Sequence, residues 1–121
     1  MQVSKKKINK NLEKEIRNLF CQLMADLRDP SQVEQFLKDF LTETELDVIC
    51  RRLATAYYLK KGRSYQNIKD NLTVSSATIS AIAEQIKSKK GYKIALEKIQ
   101  AEEWADKWTK KLTSIMKFKR K

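Results

Sequence analysis

The chain has no histidine. Imidazole is the usual general base near neutral pH and the commonest metal ligand, so its absence excludes most acid–base catalysis and most zinc chemistry. Glycine is nearly as scarce, with two residues in 121, and proline occurs once. Glycine-rich phosphate loops and the turn-dense layouts of all-β domains need more of both, so a helical chain is expected. The two cysteines, Cys21 and Cys50, have no CxxC spacing and fall on expected apolar helix faces. They read as buried, reduced thiols, and no disulfide or metal site is expected. No apolar run approaches the roughly 18 residues of a membrane span, and the basic beginning is not followed by the apolar core of a secretory leader. A reducing cytoplasm is the expected compartment, without membrane association.

Acidic residues are missing from both ends. Residues 1–10 carry Lys5, Lys6, Lys7 and Lys10, and residues 110–121 carry Lys110, Lys111, Lys117, Lys119, Arg120 and Lys121, with no acid in either segment. The net charge of +11 therefore lies in the terminal segments, leaving sixteen basic against fifteen acidic residues in 11–109. The ends, more than the body, predict a polyanionic partner. Residues 1–11 are too poor in apolar side chains to fold alone and read as a flexible basic arm, either tracking phosphates or simply solvated.

What is abundant is helical periodicity. Leu12, Ile16, Leu19, Phe20, Leu23, Met24 and Leu27 recur at spacings of three and four and predict a helix over 12–28. Asp29-Pro30 ends it and starts a second, over 31–41, with Asp29 or Ser31 as cap and Glu34 completing a capping box. Thr42 and Glu45 form another capping box, opening a long helix that ends near Lys61 before Gly62. Its apolar face (Leu46, Ile49, Cys50, Leu53, Ala56, Tyr57, Leu59) is wider than one neighbouring helix can cover, which suggests a partner subunit.

Residues 64–86, SYQNIKDNLTVSSATISAIAEQI, read as a short helix, a tight turn and a second helix. Ile68, Leu72, Val74, Ile79 and Ile82 fall where a helix-turn-helix must bury apolar side chains. Ser75, Ser76, Ala77, Thr78 and Ser80 leave the first turn of the second helix small and hydroxyl-rich, able to approach base edges in a major groove. Ser75 should also cap that helix by accepting from the backbone near Thr78. Two acid-free basic runs bracket the motif, Arg51 to Lys69 and Lys87 to Lys93. Arg63, Gln66, Lys69, Lys87, Lys89 and Lys90 are the expected phosphate contacts. No arginine lies in the second helix to make the bidentate guanine contact, so base reading should be modest or water-mediated.

Residues 87–91 (KSKKG) read as a basic loop ending at Gly91, and a last helix runs from Tyr92 through Leu96 and Ile99 and onward through Trp104, Trp108, Leu112 and Ile115. That C-terminal stretch, with Lys107, Lys110 and Lys111 between its apolar residues, fits core or dimer packing, docking on a membrane surface or partner helix, or base stacking. The remaining carboxylates are spread over helix surfaces at lysine-pairing distances, as in Glu97 with Lys93 and Glu103 with Lys107. No nucleophile–base pair is present, so an enzyme is not expected, and neither is a cofactor.

Residues 41–99 resemble the Trp-repressor superfamily, specifically its Trp-repressor-related branch. The SATIS turn into the second helix (76–80) and the GYKIALEKI segment (91–99) carry the resemblance most specifically. It implies an all-α, six-helix fold, an intertwined homodimer, and helix-turn-helix units meeting successive major grooves of double-stranded DNA. The domain then covers 12–101, with the arm at 1–11 and a basic amphipathic tail at 102–121. The founding repressor grips a tryptophan corepressor between two arginines. Arg52 matches the first position, but Ala81 stands at the second, so the resemblance implies a vestigial pocket and no response to tryptophan. Thr73 occupies the turn position usually held by glycine, and Lys69 a position where helix-turn-helix motifs prefer a small residue. The expected function is a homodimeric, sequence-specific DNA-binding transcriptional regulator. A non-specific architectural DNA binder and a helical interaction module using the tail are the alternatives.

Overall fold

Residues 6–119 are described by the computed structural model, and they form six α-helices with no strand among them. Residues 1–5, 120 and 121, including Lys5, Arg120 and Lys121 of the terminal basic clusters, lie outside the described residues. The chain divides into two units, residues 1–46 and 47–121. Among the described residues no helix is long and apolar enough to cross a membrane.

In the first unit, α1 (Lys10–Asp26) begins where the Asn9 side chain accepts from the backbone N–H of Asn11 at 2.9 Å. Asp29 is the cap that starts α2 (Pro30–Phe40): its carboxylate accepts from the Ser31 N–H and hydroxyl, both at 2.9 Å. Proline sits in the first turn, where its missing N–H costs nothing. Of the two caps open in the sequence, Asp29 is used. Glu34 does not close a box but pairs with Lys38, one turn on, at 2.9 Å. Phe36 and Phe40 stack at 4.9 Å, and Phe20 of α1 meets Phe40 at 6.1 Å. Even so, Leu12, Ile16, Leu19, Phe20 and Leu23 remain exposed along α1. Thr42 and Glu45 form the expected reciprocal box, with N–H to side-chain oxygen distances of 2.8 and 3.1 Å, and so begin α3 (Glu43–Lys60). The backbone and hydroxyl hydrogen bonds from Thr42 hold the Glu45 carboxyl below its ordinary pKa.

The second unit takes the rest of α3 with α4 (Tyr65–Leu72), α5 (Ser76–Ser88) and α6 (Lys90–Lys119). Among the described residues its buried side chains are few: Thr55 and Ala56 on α3, Ile68 on α4, Ile79 and Ile82 on α5, and Leu96 on α6. Ala56, Ile82 and Leu96 form the centre, and Tyr57, Leu59, Ile86, Tyr92 and Ile99 pack around it. Each buried isoleucine contributes roughly 1.5–3 kcal/mol of apolar burial, so Ile68, Ile79 and Ile82 carry much of this small core. Thr55 can be buried because its hydroxyl donates to the Arg51 carbonyl at 2.7 Å. Gly62 ends α3 with a φ of +80°, the left-handed conformation expected after that helix.

Four further expectations need correction. Cys21 and Cys50 are free thiols, but both are exposed in the single chain. The basic loop at 87–91 contracts to Lys89 alone, whose N–H closes α5 on the Gln85 carbonyl, and Gly91 lies inside the first turn of α6. Leu72 and Val74 are half-buried, whereas Ile68, Ile79 and Ile82 are fully buried. Glu103 makes its close ion pair with Lys61 of α3's C-terminal end, and Lys107 adds only a weaker attraction. The Lys61 contact ties α3 to α6, since Glu103 also accepts from the Tyr57 hydroxyl. Beyond it α6 runs on with its apolar side uncovered by its own chain. Trp104 and Trp108 lie 5.6 Å apart and both are exposed, as are Leu112 and Ile115.

Candidate nucleic-acid interface

The site is built on α4, the turn at residues 73–75 and α5. Ser64 starts α4 by accepting from the Asn67 N–H at 3.1 Å. Ile68 holds the helix to the core while Gln66 and Lys69 stay exposed. Gln66 is not idle on that surface: its amide donates to Asp70 at 2.8 Å, one turn away. Arg63 lies over the Tyr58 ring at 4.0 Å and donates to Asn67 at 3.3 Å, which fixes a guanidinium at the entrance to α4.

Thr73 ends α4 in the left-handed region, at φ +53° and ψ +49°. For a β-branched residue that conformation costs on the order of 1 kcal/mol, so surrounding contacts must hold it. One contact comes from Arg51 on α3. Its Nη1 donates to the carbonyls of Leu72 and Thr73, each at 3.3 Å, while its Nε pairs with Asp47 at 3.0 Å. Ser75 then caps α5 as expected, accepting from the Thr78 N–H at 3.1 Å. The two hydroxyls of Ser75 and Thr78 also lie 2.9 Å apart in a mutual hydrogen bond. These hydroxyls are thus occupied within the cap, and Ser76, Ala77 and Ser80 are the candidate groove-facing residues without such an engagement.

The face assignment follows from helical geometry. Ile79 and Ile82 point into the core, and residues 76, 77 and 80 lie on the opposite, exposed side of the first turns. Lys87, Lys89 and Lys90 are exposed at the other end of α5, across the junction into α6. Among the described residues the motif presents no large apolar side chain on its outer face except Tyr65 at the start of α4, which leaves a small, polar surface flanked by cations.

A groove of about 290 Å³ opens behind the turn, lined by Asp47, Val48, Arg51, Arg52, Thr73, Val74, Ser75 and Thr78. Arg52, matched by resemblance to a ligand-gripping position, lines it; Ala81 is not among the lining residues. Arg51 is the site residue that sequence pattern does not single out. Its carboxylate partner four residues earlier on the same helix is the local signal, but the turn carbonyls it reaches lie more than twenty positions downstream.

Residues 15–100 match the family described as Trp repressor protein. The chain is 29% identical over 97 residues to YerC of Bacillus subtilis (strain 168), an uncharacterised protein, covering 79% of this chain and 92% of that one. A crystal structure from Staphylococcus aureus, described as a candidate Trp repressor, superposes with a TM-score of 0.64 at 25% identity, covering 72% of this chain and 87% of the other. The chain belongs to the Trp repressor family, a family of helix-turn-helix DNA-binding regulators and not of enzymes.

Proposed function

We propose that the protein is a homodimeric, sequence-specific transcriptional regulator that reads double-stranded DNA with α5 and does not respond to tryptophan. The observation that carries this reading is the division of α5. Ile79 and Ile82 anchor one side in the core, and Ser76, Ala77 and Ser80 leave the other small enough to enter a major groove. Ala77 would meet a thymine methyl, and the two serines would contact base edges or ordered water. Arg63, Gln66 and Lys69 on one side, and Lys87, Lys89 and Lys90 on the other, would hold phosphates and set the register.

Dimerisation is supported by what one chain leaves uncovered. Leu19 is 72% exposed, and Leu12, Ile16, Phe20 and Leu23 continue its stripe along α1. Val48, Ile49 and Leu53 add a second uncovered apolar surface on α3. A monomer with this much exposed apolar side chain is a poor soluble species, and a second copy is the partner the family supplies. Loss of tryptophan recognition is supported by Ala81, which offers no guanidinium to face a carboxylate.

Selection of bound sequences from random duplex DNA, with wild type and Ala77→Glu, tests the reading. A palindromic consensus, with half-site centres about one helical turn apart, that disappears in the variant is the expected result. Retention of DNA without a consensus would point to an architectural binder, and no retention at near-physiological salt would sink the DNA reading.

A further inference from the structure

We propose that Arg51 is a positioning residue for DNA recognition: it holds the left-handed Thr73 turn against α3, and with it the entry angle of α5. The functional half of this inference rests on the DNA-binding reading, and the structural half on the hydrogen bonds of the turn itself.

The turn between α4 and α5 has to do two things. It must reverse the chain within three residues, and it must fix where the first turn of α5 presents Ser76 and Ala77. Glycine would meet the first demand without cost, because it adopts positive φ freely. This chain has threonine there, at φ +53°. Leu72 and Thr73 also lie at the C-terminal end of α4, where carbonyls lack intrahelical donors and carry the negative end of the helix dipole. A cation placed on those carbonyls therefore offsets both the strained residue and the unmade hydrogen bonds.

Arg51 is built for that position. Asp47, one turn earlier on α3, holds its Nε at 3.0 Å and so directs the fork toward the turn. Nη1 then bridges the Leu72 and Thr73 carbonyls at 3.3 Å each. Behind it, the Arg51 carbonyl accepts from the buried Thr55 hydroxyl at 2.7 Å, which braces the backbone from which the side chain springs. Lysine could not reproduce this, since a single ammonium lacks the planar fork that serves a carboxylate and two carbonyls at once. The guanidinium is partly exposed, 43% by side chain, so its hold is moderate and open to competition from solvent.

The competing role for an exposed arginine beside a DNA-reading motif is a direct phosphate contact. The two roles separate by salt dependence. Removing a phosphate-binding cation lowers the slope of log affinity against log salt by about one, whereas removing a positioning side chain weakens binding with the slope intact.

The test compares wild type, Arg51→Gln, Arg51→Lys, Thr73→Gly and the Arg51→Gln/Thr73→Gly double variant. Each is measured for affinity to the selected duplex at several salt concentrations, and for its urea midpoint without DNA. Arg51→Gln should weaken specific binding by about tenfold with an unchanged salt slope, and Arg51→Lys should restore little of it. Thr73→Gly, by relieving the positive φ, should return most of the loss in the double variant. A slope that falls by about one, or an Arg51→Gln loss of equal size whether position 73 holds threonine or glycine, overturns the positioning role. The urea midpoints decide the clamp independently of DNA: coupled losses uphold it and strictly additive ones overturn it. If wild type retains no duplex, the DNA reading and the positioning role fall together, and the midpoints alone then show whether the clamp exists.

Discussion

Lys61 Nζ stands 2.8 Å from Glu103 Oε2, and the other oxygen of the same carboxylate accepts from the Tyr57 hydroxyl. One carboxylate on α6 thus collects two donors from the end of α3, forty-two and forty-six positions earlier in the chain. The Lys61 hydrogen bond is the main cause that holds the Glu103 carboxyl below its ordinary 4.5, with the Tyr57 hydroxyl next. Tyr57 and Lys61 are both pushed up, chiefly by their hydrogen bonds to Glu103.

The sign of the pH dependence follows from these directions. A depressed carboxyl contributes stability that is present above its ordinary value of 4.5 and is lost as pH falls through the lower, folded-state value. Raised Tyr57 and Lys61 contribute stability that is present below their ordinary 10.0 and 10.5 and lost as pH rises beyond them. The α3–α6 tie is therefore strongest between these limits. Thermal midpoints across pH should show a smaller acid-side decline in Glu103→Gln than in wild type. An identical decline in both would mean that the pair adds nothing to folding.

Ser75 should matter more to stability than Ser76, although the two are neighbours. Only Ser75 accepts from the Thr78 N–H and bonds the Thr78 hydroxyl. Ser75→Ala should cost about 1 kcal/mol in urea denaturation, and Ser76→Ala should change the midpoint little. The opposite ranking is expected for base selection, because Ser76 is the freer hydroxyl. A Ser76→Ala variant with unaltered sequence preference would remove it from the recognition surface.

Sequence pattern revealed what is local. The Thr42–Glu45 box, the Ser75 cap and the left-handed Gly62 depend on residues within a turn or two of one another, and helical spacing marks the inward face that carries Ile68, Ile79 and Ile82. The reach of Arg51 to the Thr73 turn and of Glu103 to Lys61 is not legible in sequence pattern, because each joins elements far apart in the chain. The expected Glu103–Lys107 spacing is favourable on an isolated helix, but the α3 donors prevail in the folded unit. Cys21 and Cys50 show a different limit. An apolar stripe marks a face that avoids water, yet says nothing about whether the chain's own residues cover it.

That uncovered stripe yields a prediction of its own. Leu19→Glu places a charge at the most exposed large apolar position of α1, where in an isolated chain it should be nearly neutral. In a dimer the same charge would be driven into an apolar contact. Sedimentation equilibrium should therefore show the variant shifted toward the monomer, with a melting temperature that falls and no longer depends on protein concentration. Unchanged mass and midpoint would exclude α1 from any interface.

The N-terminal lysines are best tested by neutralisation and not by removal. Deleting residues 1–10 would also take away Asn9, whose side chain caps α1, so a loss of binding could arise from a frayed helix. Replacing Lys5 and Lys7 by glutamine spares that cap. If the arm tracks DNA, the salt slope should fall by up to about 0.9 for each phosphate that is no longer neutralised, with the selected sequence unaltered. The urea midpoint should stay near the wild-type value, since the Asn9 cap is kept. A slope that does not move would assign the arm's charge to solubility, and leave phosphate binding to the cations that flank α4 and α5.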